Sequence, residues 1–337
     1  MSVLVTGCAG FIGYHLVEAM LRRGDEVIGL DSMNTYYDPA LKHGRLERLK
    51  SRKGFEFEQM DLSDRTVIDR LRDRGIDRIV HLAAQAGVRH SIDQPFDYLD
   101  SNLAAQLVVL ELARAIEPRH LVFASSSSVY GGNEALPSAS GHAVDHPLSL
   151  YAATKRSGEL MAHSYAQLYG IPSTGLRFFS VYGTWGRPDM ALWKFADAIE
   201  TGRPIELYNH GRHRRDFTWI HDLIDGILRV LGRPAEPDPD FDPVDPAPDR
   251  SDAPFRIYNL GSRTNVDLLR YLELIEESMG RSAEKIMLPK QPGDVEVSAA
   301  DVGPMQRDFG WEPTVSVEVG VPIFIEWWRE WIASRSR

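Results

Sequence analysis

Two residues four positions apart carry the first chemical signal in this chain. They are Tyr151 and Lys155, in the stretch Ser149-Leu150-Tyr151-Ala152-Ala153-Thr154-Lys155. On a helix, positions i and i+4 share a face. An ammonium beside a phenol favours the phenolate and so lowers the phenol's pKa. Upstream, an apolar run ends in Ala124-Ser125-Ser126-Ser127-Ser128-Val129-Tyr130-Gly131. A hydroxyl from that run can bridge the phenol and a substrate. The set is a general acid/base able to take a proton from a sugar hydroxyl while a nicotinamide takes the hydride. Tyr-x-x-x-Lys alone is common, and on most helices it is a solvated pair. The catalytic reading therefore needs a hydride acceptor elsewhere in the chain.

The first thirty residues supply a place for one. Ser2 to Thr6 is a short β-branched run, followed by the loop Gly7-Cys8-Ala9-Gly10-Phe11-Ile12-Gly13. Apolar residues then fall at helical spacing to Arg22, and a second apolar run from Glu26 ends on Asp31. Gly7 lets the chain turn off the strand, Gly10 leaves room for a pyrophosphate, and Gly13 lets the helix pack on the sheet. The helix N-terminus offers free N–H groups and partial positive charge to the phosphates. Asp31, 24 positions after Gly7, can accept hydrogen bonds from an adenine-ribose diol. The bland alternative is an ordinary tight βα turn. Ser32 follows Asp31 and no Arg is adjacent. A carboxylate would repel a 2′-phosphate, so NAD is favoured over NADP.

Stepping outward, 337 residues suffice for one large or two moderate domains. A net charge of −10 argues against a nucleic-acid surface. One cysteine, Cys8 in the glycine loop, excludes an internal disulfide and a cysteine-based metal site. No apolar stretch of about 18 residues is present, so no membrane span is expected. The pattern begins at residue 2, which leaves no room for a signal peptide. A cytoplasmic location is the default expectation.

Strand patterns fall at 2–6, 26–30, 55–59, 78–82, 120–125 and 173–178. Helical patterns fall at 11–23, 64–74, 97–116, 150–169 and 188–200. This alternation predicts an α/β fold: a Rossmann-type doubly wound parallel sheet with a smaller mixed α/β C-terminal substrate domain. The predicted division is an NAD-binding domain over 1–180, carrying the Tyr-x-x-x-Lys helix, and a mainly nucleotide-sugar-binding domain over 181–337. Some exchange of strands or helices between the two is expected. The ligand crevice should lie at the carboxyl ends of the strands. There stand Asp61-Leu62 and His81-Leu82-Ala83-Ala84, whose small residues suit a backbone lying against a flat ring or, equally, simple packing. Pro234 to Pro254 holds seven prolines and seven acids in 21 residues with one base. It reads as an extended, exposed loop at 234–254 interrupting the second domain. Phe255 to Leu260 resumes as a strand, a helix follows near 265–279, and a Trp-rich helix covers 316–333.

Taken together, these motifs resemble the extended short-chain dehydrogenases/reductases of the NAD-dependent nucleotide-sugar epimerase/dehydratase family, over essentially the full length. Within it the chain is most similar to the UDP-glucuronate 4-epimerases. That likeness rests on Asn34 to Pro39, Ala84 to Arg89, Ser125 to Tyr130, Ser149 to Lys155, Arg177 to Gly183, Trp185 to Met190, and Gln291-Pro292-Gly293-Asp294-Val295. The resemblance implies NAD held by Gly7, Gly10, Phe11, Ile12, Gly13, Asp31, Asp61, Leu62, Leu82, Ala83, Ala84, Asn102, Tyr151 and Lys155. It implies catalysis by Tyr151, Lys155 and Ser126, and no metal. Tyr151 would remove the proton of the sugar 4-hydroxyl, and hydride would pass to the cofactor and return to the other face of the 4-keto sugar. A homodimer through the helices near 97–116 and 150–169 is the family expectation, with a UDP-sugar as the small-molecule partner.

Departures from neutral-sugar epimerases bear on the substrate. Ser180 stands where a UDP-glucose 4-epimerase has Asn. Ser127 and Ser128 add hydroxyls, and Arg187 adds a guanidinium. Such groups are what a buried carboxylate needs. They favour UDP-glucuronate and UDP-galacturonate over neutral UDP-hexoses, although Arg187 also suits a structural salt bridge. Dehydratases place Asp-Glu beside the catalytic hydroxyl and UDP-glucuronate decarboxylases place Glu there, where this chain has serines. Arg215 resembles a diphosphate-binding arginine. Asp294 can reach a ribose or hold its loop, and Arg89 belongs to the same substrate-binding set. Gln291 replaces a second phosphate-binding arginine. The basic cluster His210 to Arg215 reads as a solvated loop beside the diphosphate. A non-catalytic NAD sensor is the rival from another class, disfavoured by the intact Tyr151, Lys155 and Ser126.

Overall fold

The computed structural model describes residues 1–291 and 293–335. Pro292, part of the Gln291–Val295 motif, lies outside the described residues. Seven parallel strands form the central sheet, in the order Phe255–Leu260, Ser173–Phe178, His120–Ser126, Arg78–His81, Ser2–Thr6, Glu26–Asp31, Phe55–Gln59. The chain order reverses between Ser2–Thr6 and Arg78–His81, so a crevice opens there at the carboxyl ends of the strands. A three-stranded sheet of Ser180–Tyr182, Arg214–Trp219 and Asn265–Asp267, and a pair of Ile205–Leu207 with Lys285–Met287, build the smaller part. This is the expected Rossmann-type α/β architecture with a mixed second part.

Strand alternation explains where the core sits. Val3 and Val5 face one hydrophobic cluster while Leu4 faces another on the opposite side of the sheet. The first cluster continues without a break through Trp219, Leu223, Tyr271, Trp311 and Trp328. The two parts of the chain therefore share one core. A strong ion pair adds to this. Arg177 on a central strand donates to both oxygens of Glu159, at 2.8 and 2.9 Å, and both side chains are fully buried.

Several elements differ from the sequence expectation, the helix Ile220–Gly232 among them; four others are instructive. A helix at Pro39–Lys50 has no counterpart in the apolar pattern. Its inward face includes Lys42 and Arg45 beside Leu41, Leu46 and Leu49, so the hydrophobic period is broken by buried cations. Asp38, whose carboxylate accepts from the Ala40 N–H at 2.9 Å, and Pro39 at the first position are start signals that do mark it. The 97–116 helix is three pieces: Pro95–Tyr98, a widened π turn at Leu99–Ala104, and Ala105–Ile116. Phe255–Leu260 joins the central sheet beside Ser173–Phe178 and not the smaller part. The proline-rich loop is anchored toward its C-terminal end. Asp249 accepts from Ser140 at 2.5 Å, and Ser251 and Ala253 are buried. Its acids find specific partners there, which composition alone does not reveal.

Three buried histidines set an acid limit on the fold. His81 bonds Thr6 Oγ1 at 2.7 Å, His15 bonds the Thr184 carbonyl at 2.8 Å, and His120 bonds Thr174 Oγ1 at 2.9 Å. Burial pushes their pKa down to about 3, about 3 and about 4. The unfolded chain binds these protons near pH 6.5 and the folded chain does not. Stability is therefore complete above that pH and is lost as pH falls below it. Each site contributes a slope of about 1.4 kcal/mol per pH unit. Denaturant titration should give an unfolding free energy on the order of 5 kcal/mol lower at pH 5 than at pH 7. A pH-independent value over that interval would contradict neutral burial of the three rings.

Candidate active site

A cavity of about 790 Å³ runs along the carboxyl ends of the central strands. Its floor is the glycine loop at the start of helix Phe11–Arg22. Gly7 adopts φ +71°, and a Cβ there would lie 2.8 Å from the Ala83 nitrogen. A Cβ on Gly13 would lie 2.1 Å from the Gly7 carbonyl oxygen. The loop therefore hugs both the helix and the neighbouring strand, with the helix N-terminus turned to the cavity. Asp31 closes one end. Its carboxylate accepts from the Ala9 N–H at 3.1 Å and the Met33 N–H at 2.8 Å, and Lys42 lies 3.4 Å away. Asp61, Leu62, Leu82, Ala83 and Ala84 line the same wall. A cradle this tight at backbone level, with an acid at its far end, fits a dinucleotide.

Across the cavity stand Ser126, Tyr151 and Lys155. Tyr151 and Lys155 sit in the first turns of helix Leu150–Tyr169, whose N-cap Ser149 accepts from the Ala152 N–H at 3.1 Å. Lys155 donates to the Ala124 carbonyl at 3.0 Å, which ties the helix to the serine strand. Here the electrostatics differ from the expectation that Lys155 lowers the phenol's pKa. Burial raises Tyr151 above the ordinary phenol range, and the Ser126 hydroxyl and the Arg187 charge pull it back. Lys155 is itself pushed down to about 8 by burial, against Glu159, which raises it. The groups that act on the phenol are thus the expected serine hydroxyl and a guanidinium that sequence spacing does not connect to it.

Arg187 lines the cavity and is also in a salt bridge. Its Nε donates to Asp189 Oδ1 at 3.0 Å and its Nη2 to Oδ2 at 2.5 Å. Ser127, Ser128 and Ser180 lie beside the cavity, outside its lining. Ser127 and Ser128 form a 3₁₀ turn in which Ser128 Oγ accepts from Ser126 at 3.1 Å. Asn102 is also behind the wall. It clasps Gln85 through both backbone groups, at 2.8 and 3.1 Å, and donates to Thr154 at 3.0 Å. Arg89, Asp294 and Arg215 form a separate group outside this lining. Arg89 lies 3.4 Å from Asp294, and Arg215 donates to the Glu296 carbonyl at 2.9 Å.

Several lining or supporting residues escaped the sequence reading. Lys42 and Arg45 come from the unrecognised helix. Arg45 is fully buried, and it donates to the Ala9 carbonyl at 2.9 Å and the Trp185 carbonyl at 2.6 Å. It ties the glycine loop to the stretch carrying Arg187. Gln85, Tyr36 and His90 also line the cavity. Among the described residues no cluster of three or more His, Cys, Asp and Glu is arranged to hold a metal, and no helix is long and apolar enough to cross a membrane.

Comparisons with known proteins agree with this geometry. The chain is 47% identical over 330 residues to a probable UDP-glucuronate 4-epimerase of Rhizobium meliloti, covering 97% of each. It is 44% identical over 332 residues to the protein CapI of Staphylococcus aureus, covering 98% of this chain and 99% of that one. The crystal structure of UDP-glucuronic acid 4-epimerase from Bacillus cereus, in complex with UDP-glucuronic acid and NAD, superposes with a TM-score of 0.86. It is 30% identical and covers 98% of this chain and 100% of that one. Residues 3–244 match the model of the NAD dependent epimerase/dehydratase family. With the glycine cradle and the Ser-Tyr-Lys set facing one cavity, the chain belongs to that NAD-dependent family.

Proposed function

We propose that this protein is a UDP-glucuronate 4-epimerase, interconverting UDP-glucuronate and UDP-galacturonate through a transient 4-keto sugar. The observation that carries the reading is one cavity presenting both Tyr151 with Ser126 and, close enough to act on that phenol, the guanidinium of Arg187. A proton acceptor and an anion partner in one cavity suit neighbouring positions of one sugar ring. The 30–47% identity to proteins named for that activity supports the same substrate.

In this mechanism Tyr151 receives the proton of the 4-hydroxyl through or beside Ser126. NAD, when held in the glycine cradle, would supply the reversible hydride acceptor this chemistry needs. Lys155 anchors the helix of Tyr151 to the Ala124 carbonyl. Gly7, Gly10, Phe11, Ile12 and Gly13 would hold the phosphates of NAD, Asp31 its ribose, and Asp61, Leu62 and Leu82 to Ala84 would line the rest of its pocket. Asn102 acts indirectly, by fixing Gln85. Arg187 pairs with the C6 carboxylate, and Ser127, Ser128 and Ser180 support that end from behind the lining. Arg89, Arg215 and Asp294 take the nucleotide end. The serines beside Ser126 leave no acid there to drive dehydration or decarboxylation. The boundary between the NAD-binding part and the sugar-binding part is placed near residue 180, with Phe255–Leu260 returning to the first. We also infer a cytoplasmic homodimer. Leu107, Leu160 and Leu168 are exposed on the helices Ala105–Ile116 and Leu150–Tyr169, and sedimentation will report the state.

The test is NMR of UDP-glucuronate incubated with the purified protein. UDP-galacturonate without CO2 is expected. A UDP-pentose would replace this reading with a decarboxylase. Turnover of UDP-glucose alone would replace it with a neutral-hexose epimerase.

A further inference from the structure

Arg187 does not stand alone in the cavity. Its guanidinium is held by Asp189 through two nitrogens, at 3.0 and 2.5 Å. Among the described residues Nη1 makes no hydrogen bond. The backbone between them is a tight turn. The Met190 N–H donates to the Arg187 carbonyl at 3.2 Å, and Pro188 occupies the position where a fixed φ suits the turn. Asp189 has a third partner from far away in sequence. The Tyr36 hydroxyl donates to its Oδ2 at 3.3 Å, and the Tyr36 ring packs on His90 with centroids 4.9 Å apart. Asp189 itself is outside the cavity lining, whereas Arg187, Tyr36 and His90 are in it.

A free arginine side chain samples many rotamers, and a bidentate carboxylate removes most of them. The pair therefore fixes the plane of the guanidinium and leaves one edge for a second anion. It also lowers the cost of keeping the guanidinium partly buried while no substrate is bound.

We propose that Asp189, assisted by Tyr36, is a positioning residue that orients Arg187 toward the substrate's C6 carboxylate and thereby sets the partition between epimerisation and loss of CO2. The inference rests on the uronate reading above. The 4-keto sugar is a β-keto acid. If its C5–C6 bond lines up with the C4 carbonyl, that bond breaks and CO2 departs. The bonding pair moves into an enolate on the C4 oxygen, and C5 then takes one proton from water. No redox change accompanies this loss. A carboxylate clamped by a fixed guanidinium resists it, because the bond is held out of alignment and the anion is stabilised against becoming neutral CO2.

The test is the product ratio of the NAD-loaded protein with UDP-glucuronate, CO2 against UDP-galacturonate. Asp189→Asn should raise the CO2 fraction about tenfold, as expected when a charge-assisted contact loosens, with KM changed less than about threefold. Tyr36→Phe should move the ratio the same way by a smaller factor. In an Arg187→Ala background, Asp189→Asn should change the ratio no further. A merely structural role would lower kcat without moving the ratio. An unchanged ratio in folded, NAD-loaded Asp189→Asn overturns the proposal, as does a full additional effect in the Arg187→Ala background. If Asp189→Asn does not fold, an unchanged ratio in Tyr36→Phe overturns it. Wild-type protein that makes no UDP-galacturonate would instead remove the uronate reading, and this inference with it.

Discussion

Replacing Tyr151 with Phe is expected to lower kcat for UDP-glucuronate epimerisation by about 10³-fold, within the range usual for losing a positioned general acid/base. The substitution removes one oxygen and leaves the ring. That ring lies edge-on to Tyr98, with centroids 6.0 Å apart at 74°, so the packing should survive. Lys155 keeps its bond to the Ala124 carbonyl, and the glycine loop is untouched. Bound NAD, read by absorbance after denaturation, should therefore match wild type. KM should change little, because the lost interaction belongs to the transition state. A variant retaining more than about a tenth of wild-type kcat would mean that another group takes the proton, since one lost acid/base normally costs far more. Burial raises the phenol's pKa and so opposes the ionised form that accepts the substrate's proton. Ser126 and Arg187 favour the ionised form, and Ser126→Ala should reproduce part of the loss.

Gly13→Ala should release the cofactor. The added Cβ would stand 2.1 Å from the Gly7 carbonyl oxygen, 2.8 Å from the Gly7 carbonyl carbon and 2.9 Å from the Cys8 Cα. All three are backbone atoms, so no side chain can swing aside. The helix must back away from the loop, by a distance comparable to the 1 Å misplacement that costs about 10²-fold in rate. Purified Gly13→Ala is expected to carry little NAD and to show at least about a 10²-fold loss of activity that added NAD only partly restores. Gly232→Ala is the control: nothing lies within 4 Å of its added Cβ, and NAD content and activity should be unchanged. Full NAD content in Gly13→Ala would contradict the role given to the close approach.

The two experiments address different kinds of information. Tyr151 and Lys155 were legible because helical spacing puts i and i+4 on one face whatever the fold. The strands at Ser2–Thr6 and Glu26–Asp31, and the glycines between them, were legible for the same kind of reason. Period and backbone freedom act over a few residues, so the pattern is complete in the local stretch. The helix Pro39–Lys50 was not legible by periodicity, because part of what it buries is charge and not apolar surface. Lys42 and Arg45 are buried only because distant acceptors meet them, namely Asp31 for the first and the carbonyls of Ala9 and Trp185 for the second.

Fold class, the glycine cradle and the Tyr-x-x-x-Lys spacing follow from neighbours in the chain. Who faces whom across the cavity is a matter of the folded molecule. It brought Arg187 within electrostatic reach of Tyr151 and Tyr36 onto Asp189, placed Asn102 behind the wall, and put Phe255–Leu260 on the central sheet. The physical reason is that burial and pairing of a charge depend on what the rest of the chain delivers to that point. Local spacing specifies the face on which a group lies. It does not specify what approaches that face, and here the approaching groups oppose the effect of burial on the phenol and hold the guanidinium.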